Sequence, residues 1–172
     1  CRPQPHINLG RLIEAFVLLQ EKHPDLLLVL AGKKDELFRR YEALVLDRGI
    51  KGVVFTDFVS EGQLRWLYGH TKAYVFPSLS EGFGLPGLEA ILNGASVVAS
   101  NASCLPEVYK DGAAYFDPLD VPAMAAAIEE VILDDTVRRE LHAKGMAVAK
   151  GYSWQTTAKQ TMAVYNAALE NT

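Results

Sequence analysis

The chain has 172 residues, 49% of them hydrophobic and 22% charged, which is the length and make-up of one globular domain with a real core. A net charge of −4 offers no overall attraction to nucleic acid, and no apolar run reaches the roughly 20 residues needed to span a bilayer. The two cysteines, Cys1 and Cys104, have neither metal-ligand spacing nor the density of a disulfide scaffold, which fits a reducing cytoplasm.

The chain opens on CRPQPH without Met, which reads as interior sequence and predicts a fragment. Residues 9–20 place Leu9, Leu12, Ile13, Phe16 and Leu19 on one helical face, and His23-Pro24-Asp25 breaks that helix. Leu26–Ala31 (LLLVLA) is a continuous apolar run, the pattern of a strand buried on both faces, ended by Gly32. Residues 34–48 are predicted helical, Val53–Phe55 a strand, and Ser60–Tyr68 a helix with Ser60 as N-cap. Ala73–Phe76 is a strand, and Leu85–Leu92 a helix stopped by Asn93-Gly94. Val97–Ala99 and Ala114–Phe116 are strands. Pro122–Leu133, Val137–Lys150 and Trp154–Leu169 follow as helices whose Ala-rich faces should lie on the sheet layers or a partner domain. Short apolar strands alternating with amphipathic helices specify an α/β fold with a Rossmann-like, doubly wound parallel sheet and a helical tail.

Ligands of such sheets bind beyond the carboxyl ends of the strands. Three segments fall there: Gly32-Lys33-Lys34, Thr56-Asp57-Phe58-Val59 and the loop Pro77–Pro86. The third carries the most chemistry. In FPSLSEGFGLPGLE, Glu81 and Glu89 flank a glycine-bearing turn with seven residues between them. Pro86 suits the opening of a helix, where no N–H donor is needed. Gly82 and Gly84 let backbone approach a ligand closely. The free N–H groups of that first turn favour an anion such as a diphosphate. Carboxylates on either side can accept hydrogen bonds from sugar hydroxyls. Together these residues ask for a nucleotide-sugar. Tyr152 and Trp154 read as packing anchors of the last helix, His6 and His70 as surface or cap residues, and Cys104 as a small, half-buried one.

LIEAF, LVLAGKK, VVFTDFVS, YVFPSLSEGFGLPGLEA, SVVASNASCLPEV, AAYFDPLD and the closing YSW stand in one order along nearly the whole chain. On these segments the chain resembles the C-terminal, donor-binding domain of the retaining GT-B glycosyltransferases, the glycosyl transferases group 1. The wording is similar to the mannosyltransferase subgroup of surface-polysaccharide assembly. The resemblance implies that Glu81 lies near the donor sugar as the catalytic carboxylate and that Glu89 binds the ribose hydroxyls. It implies diphosphate and sugar contacts for Gly82, Phe83, Gly84 and Leu85, and nucleobase contacts for Phe58 and Val59. Lys33 is a further donor-binding candidate. No metal or cofactor is implied beyond the nucleoside-diphosphate sugar, with GDP-mannose as the first expectation. A saccharide acceptor would be held by an N-terminal domain absent from this chain, so the chain alone should not be a competent transferase. The longer protein would be cytoplasmic, with peripheral contact to the inner membrane face compatible with the family.

Two departures stand out. Where the family carries a lysine that neutralises the diphosphate, the phrase reads His6-Ile7-Asn8-Leu9, so Ile7 brings no charge. Arg2, His6 and Lys33 are the nearby candidates to substitute. Asp57 stands where the family favours glycine. The chain also begins after the place of the family's first strand, so the sheet is expected to lack an edge or inner strand. A GT-B type nucleotide-sugar epimerase and a degenerate, non-catalytic module remain alternatives, the second kept open by Ile7.

Overall fold

The computed structural model of the chain describes residues 5–170. Arg2 lies outside that range. After a short 3-10 turn at Pro5–Ile7, helix α1 (Leu9–Lys22) buries Leu12, Ile13, Ala15, Phe16 and Leu19. These are the apolar positions of a single stripe, and each large side chain removed from water contributes about 2 kcal/mol. Strand β1 (Leu28–Leu30), helix α2 (Glu36–Asp47) and strand β2 (Val53–Phe55) complete the first β–α–β passage. Helix α2 starts where the Asp35 carboxylate accepts the Phe38 N–H. Phe38 meets Phe55 edge-to-face at 5.2 Å, which fastens α2 to β2.

Helix α3 (Glu61–His70) opens on a capping box: Ser60 Oγ accepts from the Gln63 N–H while the Gln63 side chain accepts from the Ser60 N–H. Strand β3 (Tyr74–Phe76), helix α4 (Leu85–Leu92) and strand β4 (Val97–Ser100) follow, then a five-residue helix α5 (Leu105–Tyr109) and strand β5 (Ala113–Phe116). Helices α6 (Val121–Leu133), α7 (Asp135–Ala149) and α8 (Trp154–Glu170) end the described chain. Among the described residues no helix is long and apolar enough to cross a membrane.

All strand pairs are parallel, as the alternating pattern requires. They fall in two hydrogen-bonded groups: β1 beside β2, and β3-β4-β5 with β4 in the middle. One apolar cluster joins α1 and α6 to residues of both groups, including Leu30 and Val98. A second lies under α4 and α5.

Four sequence expectations need correction. The run 26–31 is not buried on both faces: only its middle pairs as a strand, and Val29 and Leu27 are exposed. Leu85 rather than Pro86 is the first residue of α4, with Gly84 as N-cap. Helix α6 does bury Met124, Ala125, Ile128, Val131 and Ile132, but α8 buries none of its residues. Trp154 and Tyr152 are therefore no packing anchors of α8, at 75% and 39% exposed, although the Tyr152 hydroxyl donates to the Val108 carbonyl at 3.1 Å. Helix α5 was not expected at all.

Candidate functional site

The loop between β3 and α4 is held from three directions. Its Glu81 is half-buried and tied through both side chain and backbone. The buried Ser78 hydroxyl donates to Glu81 Oε1 at 2.8 Å. The Glu81 N–H donates to Ser103 Oγ at 3.0 Å, and the Cys104 thiol donates to the Glu81 carbonyl at 3.2 Å. Ser103 and Cys104 belong to the loop after β4, so that loop holds the Glu81 backbone while Ser78 holds its carboxylate. Gly84 then turns the chain into α4 with φ 90°, in the left-handed region that glycine enters without strain. Its carbonyl accepts from the Gly87 N–H at 3.1 Å and from the Tyr109 hydroxyl.

Gly82, Phe83, Leu85 and Glu89 are exposed around this turn. Phe83 meets Tyr152 edge-to-face at 5.4 Å, which sets its ring against the segment before α8. Glu89 sits on α4, facing solvent. The charges of Glu81 and Glu89 both reach Tyr74, whose phenol is pushed well above its ordinary value, first by burial and then by neighbouring charges. Tyr68 is raised to about 12, by burial and then by Glu89. Glu81 in the loop and Glu89 on α4 stand on either side of this turn along the chain. Tyr68, Tyr74, Phe76 and Tyr109 form a chain of ring contacts beneath the turn, with centroids 5.3 to 6.5 Å apart.

The segment before α1 is bound to the same loop. Asn8 is buried in a left-handed conformation, with φ 64°, and its Nδ2 donates to the carbonyls of Pro77 at 3.1 Å and Pro118 at 2.9 Å. The Leu79 N–H donates to the His6 carbonyl at 2.7 Å. Ile7 lies between these two ties and is half-buried. The position where the resemblance expects a lysine is thus brought to the glycine loop, but with an uncharged side chain.

The ends of β1 and β2 form a second cluster. Asp57 has φ 65°, a backbone shape that would suit the glycine expected there from the resemblance. Its carboxylate compensates by accepting the N–H of Lys34 at 3.0 Å and of Phe58 at 2.8 Å. Those two bonds hold the Asp57 carboxyl below its ordinary range, with the charges of Lys34 and Lys33 adding to them. Lys33 is exposed, Phe58 is 81% exposed, and Val59 is half-buried. Among the described residues no hydrogen bond or ring contact joins Lys33, Phe58 or Val59 to the Glu81 loop. Nor does any group of three or more His, Cys, Asp or Glu side chains fit a metal ion there. Hollows of about 300 and 440 Å³ bordering α1 contain none of the expected site residues. The candidate site is an open face.

Sequence reasoning named Glu81, Glu89 and the glycine turn, and the structure places all three along the β3–α4 loop and α4. That reasoning missed Ser78, Asn8 and Tyr109. The two residues that bind Glu81 from the next loop, Ser103 and Cys104, lie within the NASCLPEV segment, which was the available signal for them.

A domain of parallel strands with a glycine-turned helix N-terminus between two carboxylates defines a class, and sequence comparison places it: the chain belongs to the glycosyl transferases group 1 family, whose pattern matches residues 2–147. It is 34% identical over 168 residues to the O-antigen chain mannosyltransferase B of Escherichia coli, across 94% of this chain and 43% of that protein. It is 37% identical to the MMP alpha-(1->4)-mannosyltransferase of Mycolicibacterium hassiacum, across 74% of this chain and 32% of that one. Among solved structures, the sucrose-phosphate synthase of Thermosynechococcus elongatus superposes with a TM-score of 0.86 at 24% identity, over 98% of this chain and 44% of its own. The C-terminal domain of a glycosyl transferase group 1 protein from Francisella tularensis gives 0.75 at 25% identity, over 87% and 81%. The fold is that of the C-terminal half of a GT-B glycosyltransferase. The chain spans less than half the length of the curated relatives named above.

Proposed function

We propose that the chain is the donor-binding domain of a retaining glycosyltransferase that moves a sugar, mannose as first choice, from a nucleoside-diphosphate sugar to a saccharide or lipid-linked acceptor. The observation that carries this reading is the clamped Glu81 beside the glycine-turned N-terminus of α4. Membership of group 1 supports sugar transfer from a nucleotide-sugar, and the mannosyltransferases among its relatives support mannose.

In this reading the diphosphate sits over Gly82–Leu85, where N–H dipoles stabilise the charge that develops on the leaving group. Glu89 accepts from the ribose hydroxyls. Glu81, its orientation set by Ser78, faces the donor sugar. Phe58 and Val59 approach the base. Ile7 contributes no charge, so the diphosphate grip rests on the helix N-terminus with Lys33 or His6 as the cationic help. The face is open, so this reading gives the covering of the ligand and the holding of the acceptor to a second domain. The longer protein works in the cytoplasm, at the inner membrane face. Ile7 also favours the competing reading of a degenerate module that binds no donor.

Calorimetric titration with GDP, UDP, ADP and their common sugars tests this. Selective binding of one nucleotide, GDP first, is expected. Glu89→Ala should weaken it about tenfold, the loss of two hydrogen bonds to a charged acceptor being at least that large. Absence of binding both here and in the full-length protein would establish the degenerate module. Normal turnover by full-length Glu81→Ala would remove Glu81 from its role.

A further inference from the structure

We infer that Tyr109 is a positioning residue of the donor grip: from beneath, its buried hydroxyl holds the Gly84 carbonyl and so sets the turn that opens α4. The inference rests on the donor-site reading above. Tyr109 closes the short helix α5 and is fully buried. Its hydroxyl donates to Gly84 O, the carbonyl of the N-cap residue. Burial pushes the phenol far above its ordinary value, with the Glu81 charge acting in the same direction, so the group stays a neutral donor.

The glycines record the same contact. A Cβ at Gly84 would lie 2.5 Å from the Tyr109 hydroxyl oxygen, and one at Gly87 would lie 2.5 Å from Tyr109 Cζ. Two positions in the opening turn of α4 therefore lack side chains because the phenol occupies that space. With the Gly84 carbonyl drawn down to the phenol and also accepting the Gly87 N–H, the turn is fixed in one shape. Phe76 of β3 backs the ring at 6.5 Å. The residues just before α5 are Ser103 and Cys104, which bind Glu81. The segment 103–109 thus holds both the Glu81 backbone and the turn, and Tyr109 need not touch the donor to govern its affinity.

Tyr109→Phe removes the hydroxyl and keeps the ring. Tyr115→Phe is the control, since Tyr115 also donates to a carbonyl, Lys110 O at 2.6 Å, away from the turn. Amide hydrogen exchange of the unliganded chain should accelerate about tenfold at residues 82–88 in Tyr109→Phe, with β4 and α6 unchanged, and should not do so in Tyr115→Phe. Titration with GDP, UDP and ADP should show the Kd of the preferred nucleotide rising about tenfold in Tyr109→Phe alone. Unchanged exchange at 82–88 overturns the strut. Faster exchange with an unchanged Kd overturns the role in the grip. A wild-type chain and full-length protein that bind no nucleotide overturn the donor-site reading itself, a failure visible before any variant is made.

Discussion

Every residue of β4 is buried, whereas Val29 of β1 and Val54 of β2 are 40% and 43% exposed. The loops above the two groups differ in the same sense. Over β3-β4-β5 the Glu81 loop is tied by Ser78, Ser103, Cys104, Tyr109 and Asn8. Over β1 and β2 the carboxylate of Asp57 links Lys34 to Phe58, and Phe58 itself stands in solvent. In the proposed site the sealed half holds the diphosphate and sugar with pre-set groups, and the open half meets the base with an exposed ring. Geometry critical to bond-making belongs on the rigid half, since a small misplacement of reacting groups costs more than a loose contact to a base.

The contrast breaks most sharply at the turn. Gly84→Ala should destabilise the chain by about 3 kcal/mol in denaturant unfolding, combining a left-handed φ with overpacking against Tyr109. Within the strands, Val98→Ala leaves a cavity in the fully buried β4 and should cost about 2 kcal/mol. Val54→Ala on the open half should change stability by less than about 0.5 kcal/mol, as exposed substitutions do. Equal losses at the two valines would erase the distinction between the halves.

The smallest effect is acid-linked. The Asp57 carboxyl is held below its ordinary value of 3.8 in the folded state, chiefly by the Lys34 and Phe58 N–H groups. Its contribution is whole above that ordinary value and is lost as pH falls through the lower folded one. Asp57→Asn keeps a side chain that tolerates positive φ and removes that proton uptake. Stability measured from pH 5 downward should therefore fall less steeply in the variant, with Glu129 and Asp134, also depressed, titrating alike in both.

Much of this was legible in the sequence because it is local. The stripe of α1, the strand Val53–Phe55, the Ser60 cap and the span Leu85–Leu92 follow from period and cap chemistry within a dozen residues. The glycine turn was legible because turn chemistry announces itself. Helix α5 was not: five residues with a proline second show no helical period. The role of Tyr109 lies in a contact 25 residues away, to a carbonyl that every residue type carries. Ser78 looked like any loop serine until its hydroxyl met Glu81. The exposure of Val29 was hidden because an apolar run states what a strand prefers, not what covers it.

The seventeen residues of α8 bury none of their side chains, although Trp154, Met162, Tyr165 and Leu169 recur along them at helical spacing. A helix of that length on its own is marginal in water. The cooperative unit that unfolds with the core should therefore end near Tyr152, whose hydroxyl is bonded to Val108. Beyond it, α8 opens on its own terms, and a protease meeting this chain should cut there before it can cut anywhere in the sheet.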